Sequence, residues 1–367
     1  MDNVVTMQIG STKLVGWKSV TVNRALDAIA DSFNLSMVDV WDDDISILIP
    51  DEKCKIYIEK TSGGKNIKEL VLTGWIDSVN ISADESSILV KVDGRSKSAD
   101  IVDCSAEYLP SNSWNNTLLS TIIRDLMFDY DVDLDFISSA AYDKNSKLSL
   151  TINSGETIFE IIDRECKKRA ILPVTNPYGN IELITSGDRI SRDKLIFGEN
   201  IVKASVDFDY SNRYGVYKVK AQKQGDGNGW QNSTNTIFAE ATDAVFGKRV
   251  RRKIVVLDGA GSNQDAQKSA NWESQIRAGR TGKLHLTIPT WFQSDNRLWE
   301  VGTLVYCQVP PLRIDEQLLI NSIEFTQDDN GTLCNMDLVN KDTYAADPSK
   351  ENKITKKSKK KGFGFGW

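Results

Sequence analysis

A single histidine, His285, stands in 367 residues. That scarcity excludes metal sites built from several imidazoles. Five cysteines, Cys54, Cys104, Cys166, Cys307 and Cys334, form an odd, widely spaced set with no CxxC pair. The simplest reading is reduced thiols in a cytoplasmic folding compartment. No apolar run approaches the ~20 residues of a membrane helix. The opening Met1-Asp2-Asn3-Val4-Val5 has neither the basic nor the apolar stretch of a secretory signal. At 40% hydrophobic and 26% charged residues, the chain is neither disordered nor collagen-like. Its length suits two or three domains.

Charge is divided unevenly. Lys350 to Trp367 holds seven lysines and one glutamate, a net +6, so from a total of −6 residues 1–349 carry −12. An acidic body is a poor general nucleic-acid binder, because phosphate contacts need clustered cations. The basic end closes on Gly362-Phe363-Gly364-Phe365-Gly366-Trp367. By composition this end reads as a solubilising disordered tail; exposed aromatics of this kind mark contacts, so the alternative is that Lys356, Lys357, Lys359, Lys360, Lys361, Phe363, Phe365 and Trp367 grip a partner from a flexible tail.

The first hundred residues read as strands. Val20 and Val22 alternate with polar residues, as do Phe33, Leu35 and Met37, then Cys54, Ile56 and Ile58. Arg24 to Ala30 could form a short helix. From Trp114 the period becomes helical: Leu118, Leu119, Ile122, Ile123 and Leu126 share a face, with Asn115 or Asn116 as cap. A second helix is expected from Ser154-Gly155-Glu156-Thr157, with Ile158, Ile161, Ile162 and Cys166 inward. A hairpin follows, 171–174 and 181–184 around Asn176-Pro177-Tyr178-Gly179-Asn180. Strands resume near Ile201, Gly225 to Gly229 reads as a flexible loop, a helix fits Gln264 to Arg277, and strands run from Leu284 to Val339.

An internal repeat is the most informative feature. Ile76-Asp77-Ser78-Val79-Asn80-Ile81 aligns with Ile320-Asn321-Ser322-Ile323-Glu324-Phe325, and at the same offset Asp84 falls on Asp328, Leu89 on Leu333, Val90 on Cys334 and Asp93 on Asp337. The fold class expected is α+β, mainly β: two tube-like antiparallel β-barrel domains with an α/β module between them and a flexible basic C-terminal tail. The boundaries are 1–107, 108–192, 193–345 and 346–367.

Catalytic candidates are thin. His285 lies in an alternating strand without a nucleophile motif. Asp129, Asp131, Asp133 and Asp135 alternate, but Leu134 replaces the loop glycine and Ala140 the closing glutamate of a calcium loop. A solvated, charged strand edge is the expectation. Glu156 and Glu160 could be a glycosidase pair and read better as first-turn helix acids. Ser62-Gly63-Gly64-Lys65 lacks a P-loop's first glycine, and Gly259-Ala260-Gly261 lacks a dinucleotide context. Trp17, Trp41, Trp75, Trp291 and Trp299 could stack sugars or pack in a core. No catalytic residue, metal or cofactor is expected.

Several segments together resemble the central baseplate hub proteins of Mu-type contractile-tailed bacteriophages. They are Gly16-Trp17-Lys18-Ser19-Val20-Thr21-Val22 with Ser32 to Ser36; Leu72 to Val79 with Asp93-Gly94-Arg95-Ser96-Lys97-Ser98-Ala99-Asp100 and on to Cys104; Gly155 to Ile162 with Gly179 to Leu183; and Trp272-Glu273, Arg277 to Arg280, Leu298-Trp299 and Leu318-Leu319-Ile320. The likeness spans residues ~16–343 and omits the tail; Asp93 to Asp100 is its most specific run. It implies a structural virion protein, not an enzyme: a homotrimer, assembled in the host cytoplasm, that adapts a hexameric tail tube to a trimeric central spike. Implied partners are tube or distal tail proteins, the spike, baseplate wedge proteins and a tape-measure end. DNA would pass through its channel without specific binding. The alternatives are a tail-associated peptidoglycan hydrolase and a carbohydrate-binding β-protein.

Overall fold

The computed structural model describes residues 3–38, 46–62, 64–85, 87–108, 111–222, 236–244, 249–260, 263–329 and 331–344. The fold is mainly β. The first stretch holds β1 (Val4–Ile9), β2 (Thr12–Leu14), β3 (Ser19–Ala25), β4 (Ala28–Val38), β5 (Lys53–Ser62), β6 (Lys65–Ala83) and β7 (Ile88–Ser96). The middle holds α1 (Ala99–Asp103), β8 (Ser113–Leu118), α2 (Leu119–Leu126), β9 (Leu134–Ile137), α3 (Ser139–Asp143), β10 (Lys147–Thr151), α4 (Ile158–Lys167), β11 (Leu172–Thr175) and β12 (Ile181–Ile184). The last stretch holds β13 (Arg189–Ile196), β14 (Lys203–Phe208), β15 (Val216–Gln222), β16 (Thr236–Thr242), β17 (Arg252–Ala260), α5 (Asn263–Gly279), β18 (Gly282–Ile288), β19 (Thr303–Val309), β20 (Ile314–Asp328) and β21 (Gly331–Val339).

The repeat seen in the sequence is a repeat of topology. In the first unit the sheet order is β1-β5-β6-β7-β4-β3; in the second it is β13-β19-β20-β21-β18-β14. Taken in chain order, the two are the same permutation. The hairpins match to the residue. Both carry a bulge at one place, between Ile76 and Ser78 and between Ile320 and Ser322. Ser78 then faces Asp93 as Ser322 faces Asp337, and Ile81 faces Val90 as Phe325 faces Cys334. A bulge sets local twist and re-aims the strand, so both long strands bend at equivalent points. The units differ at their first strand: β1 meets β5 antiparallel, whereas β13 meets β19 parallel. They also differ in the link between second and third strands. Leu26-Asp27 suffices in the first unit; in the second, β15–β17 and α5 are inserted there.

The two units are joined edge to edge. β3 pairs with β20, Ala25 opposite Ser322 through Val20 opposite Gln327, and joins both into one sheet. Val20, Val22, Phe33, Leu35, Ile323, Phe325, Met336 and Leu338 share one buried core. Trp291 is fully buried beside Phe325 and donates its indole N–H to Thr326 O and Leu333 O, 3.0 and 2.9 Å away. The middle segment has its own core, in which Ile122 and Ile123 of α2 meet Ile158, Ile161 and Ile162 of α4 and Ile181 and Leu183 of β12. α5 packs Ala266 and Ala270 against Val219 of β15.

Three expectations are corrected. Arg24 to Ala30 is a hairpin turn, not a helix, because the two-residue alternation of β4 runs back through Asp31 and Ile29. Neither Asn115 nor Asn116 caps α2; both lie in β8, and the Ser120 N–H is met by Asn145 Oδ1 at 3.0 Å, a partner 25 residues away. The four aspartates do not line one strand edge: only Asp135 lies within β9. Gly225 to Gly229 falls outside the described residues.

Candidate functional site

The run Asp93 to Asp100 ends β7 and enters α1, and nearly every side chain in it has a structural task. Asp93 accepts from Asn34 and, at 3.3 Å, from Ser78. Gly94 admits no side chain: a Cβ there would stand 2.2 Å from Trp75 O and 2.3 Å from the Phe33 ring. Arg95 reaches Asp77 at 2.8 Å and Asp103 at 2.9 Å, and these bonds, Asp103 first, hold its guanidinium charged. Buried Lys97 approaches Asp131, which also pairs with Lys53. Ser98 donates to Ile29 O, which Thr175 of β11 also binds.

Beside it sits a buried ion pair. Arg24 Nε lies 2.9 Å from Asp31 Oδ2, and Arg24 also donates to Thr175 O. Burial pushes the Asp31 carboxyl up to about 6 against the opposing pull of Arg24. These groups fasten the β3–β4 hairpin and β7 to the middle segment. The sequence does not announce the pair, because only the pairing of β3 with β4 brings Arg24 to Asp31, and the bond from Arg24 to Thr175 O spans 151 residues.

His285 is explained by the repeat. Asn34 on β4 faces Asp93 on β7; at the equivalent place His285 on β18 faces Asp337 on β21. Its Nδ1 lies 2.6 Å from Asp337 Oδ1 and its Nε2 3.2 Å from Asp207 Oδ2. Burial would raise the Asp337 carboxyl, but donors on His285 and Lys283 hold it below the usual range. With both ring nitrogens on carboxylates, the imidazole is a cross-strand tie.

Glu156 and Glu160 are likewise committed. Glu156 pairs with Arg164 and accepts from Asn153. Thr157, not Ser154, caps α4, and Glu160 closes its capping box: the Glu160 N–H donates to Thr157 Oγ1 at 3.2 Å, and the Thr157 N–H to Glu160 Oε2 at 2.9 Å. Glu156 precedes the helix, a correction to its reading as a first-turn acid. Asp135 accepts from Asn176 and Asn180 and so pins the hairpin turn. Trp17, Trp291 and Trp299 are buried and offer no stacking face; Trp41 lies outside the described residues. Burial pushes the Cys54 and Cys307 thiols up to about 12 and raises Cys166 and Cys334 as well, leaving these four unreactive. The tail residues Lys356, Lys357, Lys359, Lys360, Lys361, Phe363, Phe365 and Trp367 lie outside the described residues.

Two strand edges stand out. Residues 78–83 of β6 pair with β7 on one side, while on the other side the pairing with β5 stops at Trp75. β14 pairs only with β18 among the described residues. Ile81 is 55% exposed and Phe208 62%, whereas Phe325, the counterpart of Ile81, is fully buried.

Comparison with known proteins agrees with this architecture. Residues 4–96 match the family model of the N-terminal region of Mu phage baseplate assembly protein GpP-like proteins, residues 98–185 the second domain of baseplate hub protein gp44-like proteins, and residues 262–347 the fourth domain of Mu phage baseplate assembly protein GpP. The baseplate hub protein gp44 of Escherichia phage Mu is 29% identical over 343 residues, covering 91% of this chain and 86% of that protein. The 43 kDa tail protein of prophage MuSo2 from Shewanella oneidensis is 28% identical with a TM-score of 0.78, over 93% of this chain and 99% of that one. A tail protein from Neisseria meningitidis MC58 shares the fold, with a TM-score of 0.76 at 19% identity over 95% and 99% of the two chains. With its domain models in order and its likeness running nearly end to end, the chain belongs to the Mu-type baseplate hub family and is a structural protein of a phage tail baseplate.

Proposed function

We propose that this chain is the trimeric hub of its baseplate and works without catalysis. Three copies bring six related β-units into a ring. The ring meets a hexameric tail tube on one side and a trimeric spike on the other. The observation that carries this reading is the duplication: two units of one strand order, with one bulge in one register, sit side by side in a single sheet. A three-to-six adaptor needs two similar units per chain. The division proposed is 1–107 and 193–345 for the β-domains, 108–192 for the module between them and 346–367 for the tail. The commitment of His285, Glu156 and Glu160 to structural bonds supports the non-enzymatic part.

Light scattering after size exclusion tests the reading. The expected mass is three times 41.0 kDa. A monomer at all concentrations, with clearing of purified cell walls in a zymogram, would turn the reading toward a hydrolase.

A further inference from the structure

We infer that the hub closes by strand pairing between copies, β14 of one chain against residues 78–83 of β6 in the next, in a register dictated by the seam inside the chain. The inference rests on the trimer reading and deepens it.

The template is the junction of β3 with β20. There the second strand of the first unit pairs with the fifth strand of the second. β3 continues the edge that β19 leaves free once β19 has paired with Ile314 to Leu319. Every part of this junction has a counterpart on the outer edges of the same chain. β14 is the second strand of the second unit, and its pairing with β18 follows that of β3 with β4: Ser205 opposite His285 stands for Thr21 opposite Asn34. β6 is the fifth strand of the first unit, and its end beyond β5 is unpaired among the described residues, as the end of β20 would be without β3.

Carrying the register across puts Val79 opposite Phe208, Ile81 opposite Val206 and Ala83 opposite Ala204 on one face. On the other face it puts Asn80 opposite Asp207 and Ser82 opposite Ser205. Apolar meets apolar, polar meets polar, and no like charges are opposed. A one-residue slip would set every apolar side chain on the wrong face. Exposure marks the two largest of these side chains: Ile81 and Phe208 are exposed, whereas their counterparts in the internal seam, Phe325 and Arg24, are buried. Each chain offers two different edges, so the contact is heterologous and ends in a ring when its rotation closes.

Cysteine pairing between two singly substituted chains tests the register. Ser82→Cys and Ser205→Cys chains, purified separately and mixed under mild oxidation, are expected to form a disulfide between different chains. Ser82→Cys with Ala204→Cys, whose side chains leave opposite faces, should form none. In a parallel measurement Ile81→Lys should keep the melting curve of the monomer and lower the fraction of trimer. A trimer in which the thiols introduced at positions 82 and 205 stay reduced would overturn this seam and leave the trimer reading standing. A chain that remains monomeric at its highest soluble concentration would overturn both.

Discussion

At the residue scale, the chain places its least comfortable charges where segments remote in sequence must be held together. Arg24 and Asp31 are almost wholly buried at the joint between the first β-unit and the middle segment. Because the folded Asp31 carboxyl sits at about 6, above its unfolded value near 3.8, the folded state binds this proton the more tightly. Its contribution to stability therefore falls as pH rises from about 4 to about 6, and above that window the burial penalty is fully present. Urea unfolding across that range should show the slope. Replacing both partners together, Arg24→Met with Asp31→Leu, should remove it and leave stability near or above the native value, since buried pairs exchange well for apolar residues. Asp31→Asn alone strands a buried guanidinium and should cost about 3–5 kcal/mol. The sequence shows two ordinary charged residues seven positions apart; only pairing of β3 with β4 brings them face to face.

At the scale of elements, legibility follows the range of the interaction that decides each one. α4 is readable because its stop and start are local: Thr157 and Glu160 cap each other within one turn, and its isoleucines recur at helical spacing. Thr157→Ala should lower stability by about 1 kcal/mol, read as a shift in the urea midpoint with unchanged slope. The β11–β12 hairpin is readable for the same reason, its turn chemistry lying within five residues. α2 is half readable. Its apolar face is periodic, but the Ser120 N–H in its first turn is met by Asn145 across the fold, so the asparagines beside it mislead. The β3–β4 turn is easily misread because Leu26-Asp27 carries no glycine or asparagine to announce it. The insertion of β15–β17 and α5 between β14 and β18 is not legible at all. Nothing local marks a sheet as interrupted; only the comparison of two topologies does.

At the scale of the whole molecule, the repeated hairpin is visible as a short string of matching residues, and the structure extends that match to a full strand order. The tail stands apart from this design in charge and composition. Removing Lys350 to Trp367 should leave the melting temperature unchanged and weaken assembly with a neighbouring tail component, measured as the yield of complete particles. Full yield from the truncated chain would remove the tail from the binding scheme. The two one-sided edges carry a consequence for inheritance. A chain that bears both halves of its own contact makes every copy a link, so on the reading proposed above a copy with one spoiled edge still joins through the other and leaves the ring open. Lesions at Phe208 or Ile81 are then expected to behave as dominant poisons in a mixed infection. Lesions in the buried core, which prevent folding before any link forms, should stay recessive.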